Sequence, residues 1–80
     1  MNLTTVKIRR YQETELNNFG EQLRNARIED GRSAQVLATL SEISMGYWYQ
    51  LEKEEREWVS EEVIRRIEKV LRIDFGVEFE

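Results

Sequence analysis

Four stretches of the chain space apolar residues as a helix does, and a short segment at each end alternates them with polar ones. Leu16, Phe19, Leu23 and Ala26 form the first helical stripe, and Thr14 is placed to cap it with Glu15 in its first turn. The "EDG" at 29–31 predicts its end, with Gly31 suited to a left-handed cap. Ser33 predicts the start of a second helix that turns Val36, Leu37 and Leu40 inward, and Ala38 is small enough for close approach. "SEIS" interrupts it, and Ser44 caps a third helix from Met45 to about Glu54 with Trp48 and Leu51 inward. Ser60, Glu61 and Glu62 open a fourth, whose apolar face is Val63, Ile64, Ile67, Val70 and Leu71. At the ends, Val6 and Ile8 alternate with Lys7 and Arg9, and Phe75, Val77 and Phe79 alternate with Gly76, Glu78 and Glu80. Period two predicts short strands. Their opposite charges predict that the two ends pair with each other.

The division expected is an N-terminal arm or strand over 1–13, a helical domain over 14–73 and a C-terminal strand or tail over 74–80. Eighty residues hold one small core, a size at which self-association adds useful stability, so a homodimer is expected. With no Cys and no His, disulfides, thiolate chemistry, imidazole bases and the usual zinc ligands are excluded. The 16 acidic residues show no metal-binding spacing, so no catalytic residue, metal or cofactor is expected. No apolar run nears membrane-spanning length and no signal-peptide core opens the chain, which predicts a cytoplasmic protein without a membrane partner.

The order Leu23-Arg24, Arg27, Gly31-x-Ser33, Leu37-Ala38, Ile43-Ser44 and Leu51-Glu52 resembles the phage repressor and Cro-type family, also called the xenobiotic-response-element family. With the fourth helix, the resemblance covers about residues 16–73. It implies a mainly α, four-helix, lambda-repressor-like helix-turn-helix domain, with short terminal β-strands as the extra elements. It further implies that the third helix, about 45–54, enters the major groove of double-stranded DNA with Met45, Gly46, Tyr49 and Gln50 facing bases. Gln50 then pairs with adenine N6 and N7, and Met45 either meets a thymine methyl or packs against the turn. Arg27 and Glu52 become a structural ion pair between the first and third helices.

The pattern is also departed from. Glu42 stands at the family's turn glycine and Ala34 where a glutamine is common, and no Lys or Arg occurs from Ser33 through Leu51. After the third helix come Glu54, Glu55, Arg56 and Glu57, on a chain of net charge −4. Phosphate neutralisation supplies most non-specific affinity, so binding is expected to be weak unless Lys7, Arg9, Arg10, Lys53 and Arg56 supply it. Arg32 reads as an ordinary solvated charge. Tyr47 and Tyr49, beside the inward Trp48, suit either phosphate contacts or a protein interface. Two functions are therefore expected: a DNA-binding transcriptional regulator acting by operator occupancy, or an adaptor or antitoxin-like module that docks a protein partner on its aromatic third helix.

Overall fold

The computed structural model describes residues 5–9 and 14–77. In chain order they form β1 (Thr5–Arg9), β2 (Thr14–Asn17), α1 (Phe19–Asp30), α2 (Ala34–Leu40), α3 (Met45–Glu52), β3 (Trp58–Ser60) and α4 (Glu61–Leu71). The chain is mainly helical, and its helices enclose a core in which Phe19, Leu23, Leu37, Trp48, Leu51, Ile64 and Ile67 are fully buried. None of the described helices is long and apolar enough to cross a membrane.

Three serines begin helices as their hydroxyl chemistry predicts. Ser33 Oγ accepts from the Val36 amide at 3.2 Å, Ser44 from Tyr47 at 2.9 Å and Ser60 from Val63 at 3.2 Å. The first helix is different. Thr14 does not cap it, because Thr14–Asn17 is strand β2, and the helix starts five residues later at Phe19. β2 lies antiparallel on β1, with Val6 opposite Leu16 and Ile8 opposite Thr14. A β-branched threonine suits this pairing as well as it suits a cap, and the partner strand decides between them. Asn18 makes the corner in the left-handed region (φ 58°), a conformation that asparagine tolerates better than most residues.

The sheet order β2-β1-β3 also corrects the expected pairing of the two ends. β1 is the central strand, antiparallel to β2 over Thr5–Ile8 and parallel to β3 over Lys7–Arg9, so both of its edges are taken. The described C-terminal residues, 73–77, do not add to it. Residues 73–77 form no strand, and Gly76 at φ 78° interrupts the extended backbone. Glu78, Phe79 and Glu80 lie outside the described residues. The tail is nevertheless anchored, with Phe75 and Val77 buried and Phe75 set edge-to-face on Phe19 at a centroid distance of 4.9 Å. Glu68, a buried carboxylate on α4, accepts from the Phe75 amide at 2.8 Å and from Arg65 Nη1 at 2.7 Å. Arg65 in turn donates to the Val77 carbonyl at 3.3 Å.

Two expected core positions are not core. Val36 and Leu40 are exposed, since Ala34, Leu37 and Ala38 carry the buried stripe of the short α2. Arg32 is not a loose surface charge. Its guanidinium donates to both carboxylate oxygens of Asp30, at 2.8 and 2.9 Å, and to the Val70 carbonyl at 2.9 Å, tying the α1–α2 turn to the end of α4. The same contact holds the Asp30 carboxyl down at about 2, chiefly through the hydrogen bond from the Arg32 side chain.

Candidate functional site

The outward face of α3 is the part of the fold that most resembles a reading surface. Its position is set first by the turn before it, where Ser41 and Glu42 donate back to Leu37 and Thr39 and the Ile43 amide donates to Ala38. Glu42 takes a φ of 63°, a conformation costing a non-glycine residue roughly 1–2 kcal/mol. Arg66 of α4 braces this corner: its Nε donates to the Ser41 carbonyl at 2.8 Å, its guanidinium lies 4.0 Å from Glu42 and it also pairs with Glu62. A turn with a glutamate in the left-handed region is thus held from the neighbouring helix.

α3 is then seated by Trp48 and Leu51, both fully buried. Glu52 locks it to α1. Arg27 donates from Nε to Glu52 Oε2 at 2.6 Å and from Nη2 to Oε1 at 3.1 Å, a two-point pairing of guanidinium with carboxylate. The Trp48 indole N–H donates to the same Oε2 at 2.6 Å, so one nearly buried carboxylate satisfies three donors on two helices. The Glu52 hydrogen bond also raises Arg27 above the usual arginine range. Arg27 lies 5.8 Å from the Tyr49 ring centroid.

With those residues turned inward, Met45, Gly46, Tyr49 and Gln50 are exposed, and Tyr47 is half-buried against the core. Past the helix, Lys53, Glu54 and Glu55 donate their amides to Tyr49, Leu51 and Gln50, which folds the chain back on α3. That return places Arg56 beside the helix face. Its Nη1 donates to Gln50 Oε1 at 3.1 Å and its Cζ sits 4.3 Å from the Tyr47 ring centroid. The grouping of Gln50, Tyr47 and Arg56 was invisible in the sequence, because Arg56 lies in a loop without periodicity. Lys53 is exposed at the end of α3. Lys7 and Arg9 have their backbones in β1, opposite Trp58 and Ser60 respectively, and Arg10 lies outside the described residues. The segment 5–9 is therefore a central strand and not a free arm.

The acidic run after α3 contributes to the fold. The Glu54 carboxylate accepts from the Gly20 amide at 3.2 Å, in the first turn of α1, where a negative charge is favoured by the helix dipole. Gly20 is required there, since a Cβ would fall well inside contact distance of the Glu52 carbonyl oxygen. An open cleft of about 440 Å³ lies between α1 and the tail, lined by Ala26, Leu71 and Phe75 with Glu29 and Asp74 beside them. It includes no residue of α3, and its carboxylates do not suit a phosphate.

A family model described as a helix-turn-helix domain matches residues 18–80, most of the chain. A search of curated proteins gave no significant match.

Proposed function

Because the chain belongs to the helix-turn-helix domain family, we propose that it is a sequence-specific DNA-binding regulator that acts by occupying an operator. The observation that carries this reading is the division of α3 into two faces. Trp48, Leu51 and Glu52 fix the helix to the body, while Met45, Gly46, Tyr49 and Gln50 are left on its exposed side. Such a helix offers polar and apolar groups to base edges in a groove about 12 Å wide. Specificity then rests on a few base contacts, since the region from Ser33 through Leu51 carries no cation for phosphates. Lys53 and Arg56 supply positive charge at one end of the helix. A two-fold operator bound by a homodimer in the cytoplasm completes the proposal. Two reading helices would double the contacts that one small domain can make.

The rival reading is a protein-interaction module of adaptor or antitoxin-like type. It is favoured by the apolar side chains that the two helices of the motif leave exposed: Val36, Leu40, Met45 and Tyr49. Selection of bound duplexes from random DNA at low salt separates the two. DNA reading predicts enrichment of one sequence, arranged as two half-sites if the dimer binds. Retention of random duplex without enrichment, or no retention, overturns it and leaves the interaction role.

A further inference from the structure

We infer that Arg56 makes Gln50 a reader of guanine rather than adenine. The inference rests on the DNA-reading role proposed for α3 and specifies which base that helix selects.

A free glutamine amide suits adenine because it offers one acceptor and one donor, matching adenine N6–H and N7. Gln50 is not free in this sense. Its Oε1 accepts from Arg56 Nη1 at 3.1 Å. The amide cannot be turned round, because that would set its NH2 group against a guanidinium N–H, donor against donor. Gln50 therefore keeps Nε2 and its two hydrogens available for the groove. Oε1 keeps a second lone pair, but the guanidinium bonded to it sets a positive charge and further N–H groups beside it, which disfavours the approach of the adenine N6 amino group.

The two side chains together present donors next to donors. Of the base edges in the major groove, guanine matches this, with N7 and O6 as adjacent acceptors. Adenine would place its N6 amino hydrogens against a cation. Nε2 of Gln50 bonding N7 and Arg56 bonding O6 would share one guanine between two residues.

Arg56 holds this position for reasons independent of DNA. The Glu55 amide donates to the Gln50 carbonyl at 2.8 Å, bending the loop back on α3, and the guanidinium stacks on Tyr47 with its Cζ 4.3 Å from the ring centroid. The pair is thus arranged in the protein without DNA. Arg56 acts on specificity in two ways, by fixing the amide of Gln50 and by adding its own donors.

The test is selection from random duplexes with the parent and with Gln50→Ala, Arg56→Ala, Arg56→Met and Lys53→Ala, each first shown to be folded. The base position belonging to Gln50 is the one where Gln50→Ala loses its preference. There the parent is expected to favour guanine over adenine by about tenfold or more, the scale of one good two-point base contact. Arg56→Ala and Arg56→Met, which free the amide, should abolish that preference or shift it to adenine. Lys53→Ala removes the same charge and should weaken all sequences alike, leaving the preference at this position unchanged. Adenine preferred by the parent, or guanine retained by both Arg56 variants, overturns the inference while leaving DNA reading intact. Failure to enrich any sequence overturns the DNA-reading function and this inference with it.

Discussion

The amide of Gly20 donates to the carboxylate of Glu54, so the first turn of α1 is capped from the turn that follows α3, 34 residues along the chain. Side-chain caps contribute about 1 kcal/mol, and in a domain of this size that amount moves the melting temperature by roughly 4–8 °C. Glu54→Ala is expected to lower the calorimetric midpoint within that range. Gly20→Ala should cost more, because its methyl group meets the Glu52 backbone and the two helices must separate to admit it.

Arg27→Ala tests the other tie between α1 and α3. The variant leaves Glu52, which is nearly buried, with only the Trp48 indole as donor among these partners. Breaking a buried pair costs roughly 3–5 kcal/mol, and the partial exposure of Arg27 places this case toward the lower figure. Chemical denaturation should show the loss. The folded fraction should keep the parent's base preference, since neither Arg27 nor Glu52 is on the exposed face of α3.

Phe75→Ala asks whether the tail braces the core. Phe75 is buried against Phe19, and truncations of this kind cost about 3–5 kcal/mol. A melting curve like the parent's would show that the tail contributes little. Removing the whole of residues 75–80 should destabilise at least as much, because Glu68 also loses the Phe75 amide.

The Asp30 carboxyl, held at about 2 by Arg32, gives a pH test. Its folded value lies below the ordinary aspartate value of about 3.9, so its stabilising effect is present above that value. The effect is lost as pH falls toward about 2. Asp30→Asn has no such carboxyl. Denaturation midpoints of the parent and variant should therefore converge as pH is lowered through this window and remain separate at neutral pH.

Much of the helical body was legible because its causes are local. Ser33, Ser44 and Ser60 each cap from within three residues, and Trp48 and Leu51 share one face by spacing alone. What could not be read depended on partners far along the chain. Thr14 carries the signal of a cap and of a strand, and only β1 settles which it becomes. The charge match between Lys7, Arg9 and the C-terminal glutamates predicted a pairing of the two ends, whereas among the described residues β2 and β3 are the strands that flank β1. At the candidate site, the exposed positions on α3 followed from helical periodicity. Arg56 beside Gln50 did not, because it depends on how the loop after α3 folds back.

The most direct measurement is an amide chemical-shift titration of the folded protein with the duplex that selection enriches, set beside a scrambled duplex of equal length. Reading by α3 predicts that the enriched duplex moves the amides of Met45, Gly46, Tyr49 and Gln50 most, and the Gln50 side-chain amide with them. The scrambled duplex should produce smaller shifts, confined mainly to Lys53 and other cationic positions away from the Gln50–Arg56 pair. Equal shifts from both duplexes, or shifts that leave α3 untouched, would contradict the claim that this helix reads sequence.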